Sequence, residues 1–310
     1  MGDLCAGRVV IVTGAGRGIG LAEALGFAAE GAKVVVADIG VELDGSGATS
    51  SVGQAVVDEI TAKGGEALLS TADVGDPAGA QSIFDTAVDG FGGIDVIVNN
   101  AGIIRDKMIF NMEEDDFDAV IRVHLKGAFN LNRLGAIYWR DRAKQGLPND
   151  ARIINTTSPA GLYGSAGQQN YSAAKAGLAA MTIGLARELG RYGVTANAIS
   201  PGARTRMTAT IARPGGPAAA PSEGPDLRGP ENVAPLVVWL GSAGSKAVTG
   251  QVFEVGGGRI SVAEGWRRGP TAENSAGWVA AELGPLVGKL VGEAYQVPVP
   301  GAAPAPANPS

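Results

Sequence analysis

Short, nearly continuous apolar runs alternate with amphipathic stretches over most of the chain. The runs are rich in β-branched residues, a composition typical of strands that are buried on both faces. Between them, apolar residues recur at the spacing of one helix face. The predicted strands cover residues 8–14, 33–39, 66–73, 95–102, 151–158, 194–200 and 251–255, and the predicted helices cover 19–30, 52–63, 77–91, 113–145 and 168–192. This alternation predicts an α/β fold: a single Rossmann-type, doubly wound parallel sheet of about seven strands with helices on both faces.

Two segments interrupt the alternation. Residues 203–230 are rich in Pro, Gly and Ala, and a loop of this length inside a compact domain is usually functional or disordered. We expect a mobile lid there, with an inert insertion as the alternative. The Rossmann-fold domain is predicted to cover 1–261, followed by an extension, 262–295, that packs on it. The Pro-rich end, 296–310, has the composition of a disordered tail.

Composition excludes several classes of function. A chain of 310 residues with 45% hydrophobic content can bury one large core. The net charge is −6 and no long basic block is present, so we expect no nucleic-acid partner. No apolar stretch reaches the length of a membrane span, and the beginning of the sequence has no signal-peptide pattern. Because Cys5 is the single cysteine, no disulfide can form within the chain, and we expect a cytoplasmic location.

A glycine-rich turn follows the first predicted strand. Gly14, Gly18 and Gly20 lie between that strand and a helix, and glycines without Cβ atoms let the main chain approach a pyrophosphate. The helix N-terminus adds free N–H groups and a positive dipole. Asp38 lies at the end of the second strand, twenty residues after Gly18, where a carboxylate accepts hydrogen bonds from an adenosine ribose. The sequence therefore predicts a dinucleotide cofactor.

Asp38 favours NAD over NADP as that cofactor. Its carboxylate pairs with a ribose 2′-hydroxyl and repels a 2′-phosphate. Arg17 in the glycine turn has the opposite effect if its guanidinium binds the phosphate, but it could equally point at Asp38 or at solvent. We expect NAD, with NADP as the less favoured alternative, and no metal ion.

Ser158, Tyr171 and Lys175 form a candidate proton-transfer site. Tyr171 and Lys175 are four residues apart, which places a phenol and an ammonium on one helix face. Hydride transfer to a carbonyl produces an alkoxide, so a proton donor must lie beside it. Tyr171 suits this role if its pKa, normally about 10, falls toward neutrality, and the charge of Lys175 together with the positive nicotinamide ring is the expected cause. Ser158 would stabilise the charge on the substrate oxygen.

Taken together, the motifs resemble the short-chain dehydrogenase/reductase family over roughly residues 6–258. They occur in the order Thr13-Gly14-x-x-x-Gly18-x-Gly20, Asn99-Asn100-Ala101-Gly102, Ser158, Tyr171-x-x-x-Lys175 and Pro201-Gly202. The resemblance implies that Lys175 also holds the nicotinamide ribose. It implies cofactor contacts at Gly14, Arg17, Gly18, Ile19, Gly20, Asp38, Asp73, Val74, Asn100, Ala101, Gly102, Tyr171, Lys175, Pro201, Gly202 and Thr205.

His124 departs from the family pattern, which places an asparagine at this point of the long central helix. In the family, that asparagine lets a main-chain carbonyl hold a water molecule next to the lysine. A histidine could preserve this backbone function while its ring points elsewhere, and we favour this structural role. The alternative is a catalytic, titrating role for the only histidine of the sequence.

A narrower resemblance concerns the substrate. The runs AGIIRDKMI and VIRVHLKGAF are similar to the (3R)-hydroxyacyl-CoA dehydrogenase module of peroxisomal multifunctional enzyme type 2, which also acts on steroids. The resemblance implies an oxidoreductase for a secondary alcohol or ketone, such as a 3-hydroxyacyl-CoA or a hydroxysteroid. Arg204 and Arg206 of the lid could meet the phosphates of a CoA thioester, or could simply be solvated.

Other functions and the oligomeric state stay open. A polyol, a sugar or another small alcohol is an alternative substrate, and a non-catalytic nucleotide sensor is a remote alternative. Family members usually form dimers or tetramers through the two long helices, here 113–145 and 168–192. A homo-oligomer is therefore implied by the resemblance, without a definite number of subunits.

Overall fold

The computed structural model divides the chain into two compact units. The units are Met1–Ala263 and Glu264–Ser310. The residues described below are 2–47, 49–209, 226–265, 267–275 and 277–295. The predicted tail, 296–310, and most of the predicted lid, 203–230, lie outside them. In the described part of the chain, no helix has both the length and the apolar composition needed to cross a membrane.

Eight strands of the first unit form one sheet. They are β1 (Val9–Thr13), β2 (Lys33–Ala37), β3 (Glu66–Ser70), β4 (Val96–Asn99), β5 (Ala151–Thr156), β6 (Val194–Pro201), β7 (Val252–Gly256) and β8 (Arg259–Val262). Their order in space is β3-β2-β1-β4-β5-β6-β7-β8, and β1 to β7 pair in parallel. The chain moves outward from β1 in both directions, so the predicted doubly wound α/β fold is confirmed.

Helices connect the parallel strands. Those described are α1 (Gly18–Ala29), α2 (Ser51–Ala62), α3 (Pro77–Phe91), α4 (Glu114–Ile121), α5 (Gly127–Lys144), α6 (Pro159–Tyr163), α7 (Gln169–Leu189), α8 (Arg206–Ala209) and α9 (Ala234–Gly241) in the first unit, and α10 (Leu283–Glu293) in the second. The single helix predicted over 113–145 is divided, because a π-helical turn at Arg122–Lys126 separates α4 from α5. Such turns often occur at functional sites.

The eighth strand is the one that the sequence did not predict. β8 pairs antiparallel with β7, with Arg259 opposite Gly256 and Ile260 opposite Val255. The connecting residues Gly257 and Gly258 have φ angles of 59° and 75°, which allow the chain to reverse. β8 has four residues and most of them are exposed, so it lacks the buried apolar run by which the other strands were predicted. The sheet therefore has eight strands rather than about seven.

Two apolar layers cover the two faces of the sheet. Val10 lies in a buried cluster with Phe27 of α1 and Leu240 of α9. Its neighbour Ile11 lies in a second cluster with Trp139 of α5, because successive strand residues point to opposite faces. With both faces covered, the accessible part of the sheet is the edge formed by the carboxyl ends of the strands, where ligands bind in folds of this type.

Glu23 of α1 is a buried carboxyl group in the first apolar layer. Its side chain is 0% exposed, and neither oxygen has a hydrogen-bond partner within the described residues. Burial raises the pKa of Glu23 from 4.5 to about 8. The folded chain therefore keeps a proton that the unfolded chain releases above pH 4.5, and folding stability falls as the pH rises from 4.5 to 8.

We expect Glu23→Gln to stabilise the protein in a pH-dependent manner. The glutamine has a similar shape and cannot ionise, so the free energy of unfolding should increase by about 3 kcal/mol at pH 7 and hardly at all at pH 4. Urea denaturation at both pH values measures the difference. Glu188→Gln, at an exposed position of α7, is the control with the same change of charge. A gain at pH 7 that equals the control, or a gain that persists at pH 4, would contradict the interpretation.

Candidate active site

The glycine turn between β1 and α1 has the shape of a phosphate-binding loop. Gly14 and Gly18 adopt φ angles of 64° and 56°, which side chains disfavour. A Cβ atom on Gly14 would lie 2.9 Å from the Cα atom of Ala101. The side chain of Arg17, which precedes α1, does not cap the helix, so the first N–H groups of α1 are not taken by it. The turn therefore fits a dinucleotide pyrophosphate, as predicted from the sequence.

Asp38 is held at the end of β2 by main-chain donors. One carboxylate oxygen accepts from the Gly16 N–H at 2.6 Å and the other from the Gly40 N–H at 2.7 Å. Arg17 does not point at Asp38. Its Nη1 donates to the Val41 carbonyl at 3.4 Å and lies 3.8 Å from Oε1 of Glu42. The observed contacts differ from the alternatives left open by the sequence, since Arg17 lies against the loop that follows Asp38.

The loop after β4 is tied to the glycine turn. The N–H groups of Asn100 and Ala101 both donate to the Thr13 hydroxyl at 3.0 Å, and the Asn100 amide donates to the carbonyls of Thr13 and Gly14 at 3.0 and 3.2 Å. The side chain of Thr205 lies on the other side of the turn, since a Cβ atom on Gly18 would be 3.7 Å from its Cγ2. The structure thus brings these predicted cofactor residues together.

Asp73, Val74, Pro201 and Gly202 also lie at the carboxyl ends of strands. Asp73 pairs with Arg122 at 2.6 Å, and the Val74 carbonyl accepts from the Asn130 amide at 3.0 Å. Pro201 is the last residue of β6. The Gly202 N–H donates to a carbonyl of β7 at 2.8 Å. These contacts fix the loops that border the predicted cofactor site.

Ser158, Tyr171 and Lys175 converge beside that site. Ser158 precedes α6, where its hydroxyl accepts from the Ala160 N–H at 3.2 Å. Tyr171 and Lys175 lie in the first two turns of α7, and the Lys175 ammonium is 5.5 Å from the centroid of the Tyr171 ring. Lys175 Nζ donates to the carbonyl of Thr156, the last residue of β5, at 2.6 Å. The three side chains are therefore positioned by the end of one strand and two helices.

The electrostatics of this group differ from the sequence-based expectation. Burial raises the pKa of Tyr171, although a hydrogen bond with Ser158 opposes the shift and the charge of Asp106 adds to it. Burial lowers the pKa of Lys175 to about 7. In the protein chain by itself the lysine therefore does not lower the tyrosine pKa, and the lowering expected with the nicotinamide ring in place stays a prediction. The reason is that the side-chain amine of Lys175 is itself desolvated, so only part of the population is protonated near neutral pH.

His124 lies in the π-helical turn and packs against the tyrosine. Its ring is 2% exposed and meets the Tyr171 ring edge-on, with 5.2 Å between the centroids. The Nε2 atom of His124 lies 2.8 Å from the main-chain oxygen and 3.1 Å from the main-chain nitrogen of Ile103. Burial and the charge of Lys175 lower the pKa of His124 well below 6.5, so the ring is neutral at physiological pH. A Cβ atom on Gly102 would lie 2.8 Å from Nδ1, so Gly102 makes room for this ring.

A buried polar network supports the site and was not predicted from the sequence. The Asn99 amide donates to Asn132 at 2.8 Å and to Asn155 at 2.9 Å, and the Asn155 amide donates to the Thr182 hydroxyl at 2.9 Å. These bonds connect β4 and β5 to α5 and α7. An asparagine inside each of two strongly apolar strands was the available signal, since a buried amide needs partners.

Gly161 was also missed. It lies in α6, and a Cβ atom there would be 2.6 Å from the main-chain carbon of Lys175 and 2.7 Å from the nitrogen of Ala176. Helix α6, which begins after Ser158, and helix α7, which carries Lys175, can therefore approach each other only because residue 161 has no side chain. Nothing in the local sequence distinguished it from an ordinary loop glycine.

A doubly wound sheet with a glycine turn at its carboxyl edge, and a serine, a tyrosine and a lysine beside that turn, defines a nucleotide-dependent oxidoreductase. The chain belongs to the short chain dehydrogenase family, whose model matches residues 8–214. Members of this family use NAD or NADP, and the resemblance inferred from the motifs is confirmed.

Relatives and solved structures agree with this assignment. The chain is 47% identical to the hydroxyacyl-CoA dehydrogenase ChsB1 of Mycobacterium tuberculosis, over 83% of this chain and 79% of that protein. It is 42% identical to the mouse (Mus musculus) peroxisomal multifunctional enzyme type 2 over 82% of this chain, but it spans only 32% of that enzyme's length. A short chain dehydrogenase structure from Mycobacterium avium matches with a TM-score of 0.85 and 57% identity, covering 96% of this chain and 100% of that one. A Burkholderia cenocepacia short chain dehydrogenase in complex with NADP matches with a TM-score of 0.69 and 30% identity, covering 83% and 99%.

Proposed function

We propose that the chain is an NAD-dependent dehydrogenase of secondary alcohols, with 3-hydroxyacyl-CoA thioesters as the favoured substrates and hydroxysteroids as related ones. The observation that carries the proposal is the convergence of Ser158, Tyr171 and Lys175 beside the glycine turn. The choice of substrate is supported by the 47% identity to a hydroxyacyl-CoA dehydrogenase over most of both chains. The catalytic domain is proposed to cover 1–261, with the segment 262–295 as a C-terminal extension.

The choice of NAD is supported by Asp38. Two main-chain N–H groups fix its carboxylate at the end of β2, where a ribose hydroxyl can donate to it and a 2′-phosphate would be repelled. A Cβ atom on Gly16 would lie 2.8 Å from the carboxylate, so the carboxylate packs directly against the turn. The NADP found with the Burkholderia relative belongs to that protein.

The residues of the site divide the proton chemistry between them. Bound NAD supplies the hydride acceptor. Tyr171 takes the proton of the alcohol as general base, and Ser158 donates a hydrogen bond to the same oxygen. Tyr171 and Lys175 act as a coupled pair, because the phenolate is stable only when the neighbouring lysine carries its proton. We propose that His124 is a packing residue, since its neutral ring is tied to Ile103 and leans against Tyr171.

The two lid arginines do not support the proposal for CoA. Arg204 pairs with Asp226, and Arg206 lies 3.0 Å from Glu42. Both guanidinium groups are thus engaged by carboxylates of the chain itself. The recognition of a thioester is therefore supported by the relatives, and the homo-oligomer, the mobile lid and the cytoplasmic location stay predictions.

The experiment that tests the function is a substrate panel. NADH formation is followed with 3-hydroxyacyl-CoA thioesters of several chain lengths, a 17-hydroxysteroid and a set of polyols, each with NAD⁺ and with NADP⁺. We expect the highest kcat/KM with a 3-hydroxyacyl-CoA and NAD⁺. Turnover of polyols alone would refute the thioester proposal. Binding of NAD without turnover of any alcohol would instead favour a nucleotide sensor.

A further inference from the structure

The loop that follows Asp38, residues 39–47, is folded onto the body of the first unit. The Glu42 N–H donates to the Ser46 carbonyl at 2.8 Å, and the Glu42 carbonyl accepts from the Gly45 N–H at 3.0 Å. The Leu43 carbonyl accepts from the Ile104 N–H, beyond β4, at 2.8 Å. These bonds fix the main chain of Glu42, and therefore the region that its carboxylate can reach.

The Glu42 carboxylate lies between two guanidinium groups. Oε2 is 3.0 Å from Nη1 of Arg206, and Oε1 is 3.8 Å from Nη1 of Arg17. Arg17 also donates to the carbonyl of Val41 in the same loop. Among the described residues, the polar partners of the Arg17 side chain thus belong to this loop. The only cation of the glycine turn pairs with this loop rather than with Asp38.

We propose that Glu42 is a specificity-determining residue, which favours NAD by holding Arg17 in this ion pair. An arginine close to the adenosine ribose accommodates a 2′-phosphate when it is free to reach it. With Arg17 held by Glu42, the 2′-phosphate of NADP would meet the carboxylates of Asp38 and Glu42 and no free guanidinium. Glu42 acts through Arg17 and is a positioning residue. The inference rests on the proposed dinucleotide site and adds a second determinant to Asp38.

The size of the effect follows from the exposure of the pair. The side chains of Arg17 and Glu42 are 36% and 61% exposed, and ion pairs in such positions are weak. Asp38, which is fixed against the turn, therefore dominates the preference. The contribution of Glu42 is best measured where Asp38 has lost its charge, in the Asp38→Asn variant.

The test measures the binding of adenosine 2′,5′-bisphosphate and of adenosine 5′-phosphate by calorimetry. In the Asp38→Asn background, Glu42→Gln should tighten the binding of the bisphosphate by about 5-fold to 10-fold, since it releases Arg17 and removes one repulsive charge. Binding of adenosine 5′-phosphate should not change. In the chain that keeps Asp38, Glu42→Gln should lower the KM for NADP⁺ relative to that for NAD⁺.

Two controls separate this mechanism from a general effect of charge. Arg17→Gln, added to the double variant, should remove most of the gain and leave only the part that comes from the loss of the Glu42 charge. Glu66→Gln makes the same change of charge at the start of β3, where Glu66 pairs with Lys33, and should give no gain. The proposal is overturned if the gain is absent, if it survives undiminished without Arg17, or if Glu66→Gln reproduces it. If the unaltered protein binds neither adenosine nucleotide, the dinucleotide site itself is refuted, and the proposal with it.

Discussion

Tyr171→Phe is expected to lower kcat by about 10³-fold and to change the affinity for NAD by less than about 3-fold, since general acid–base groups contribute in this range. The phenylalanine keeps the ring that packs edge-on against His124 and removes only the hydroxyl group. The loss should therefore fall on the chemical step rather than on folding or cofactor binding. Steady-state kinetics and fluorescence titration with NADH measure the two quantities.

The pH dependence of the same pair of proteins gives an independent check. Oxidation of the alcohol requires Tyr171 to lose its proton, so kcat/KM of the unaltered protein should rise with pH. The residual activity of Tyr171→Phe should lack this rise. Tyr138→Phe removes a hydroxyl from α5, where the ring packs on Phe84, and should have no effect on either measurement. If Tyr171→Phe keeps kcat within about 10-fold of the unaltered protein, the role of general base is refuted.

The elements that the sequence predicted are those with a local signal. β1 to β7 were predicted from short apolar runs, each of which indicates a strand without knowledge of its neighbours. The glycine turn and the spacing of Tyr171 and Lys175 are likewise local patterns. β8 was missed because an exposed edge strand of four residues has no such pattern, and its pairing depends on a three-glycine reversal.

The properties that the sequence did not predict depend on contacts between distant segments. Arg17 contacts the Val41 carbonyl and the Glu42 carboxylate, the latter twenty-five positions further along the chain. The pKa values of Tyr171 and Lys175 are shifted mainly by burial, which depends on how other segments cover α7. A lysine beside a tyrosine lowers the pKa of the tyrosine only when the lysine carries its proton. The position of the site was thus predictable, and its electrostatics were not.

The close approach of α6 and α7 makes the activity sensitive to the size of residue 161. We expect Gly161→Ala to lower kcat by about 100-fold, because a displacement of about 1 Å in a catalytic group can cost this much. The added Cβ atom would lie 2.6 Å from the main-chain carbon of Lys175, and main-chain atoms cannot rotate away as a flexible side chain can. The two helices must separate, and Ser158, which caps the start of α6, then moves relative to Tyr171 and Lys175 on α7.

Gly184→Ala is the matched control for Gly161→Ala. Gly184 lies in the same α7, and a Cβ atom there would meet nothing within 4 Å among the described residues beyond its own stretch of helix. Alanine is favoured over glycine inside a helix by about 1 kcal/mol, so this variant should keep its kcat and gain slightly in Tm. Gly161→Ala should remain folded, with a lower Tm and a loss of kcat that saturating substrate does not restore. If Gly161→Ala keeps an unchanged kcat, the clash has been relieved without moving Ser158. The distance between the two helices then does not determine the position of the catalytic side chains, and the prediction is refuted.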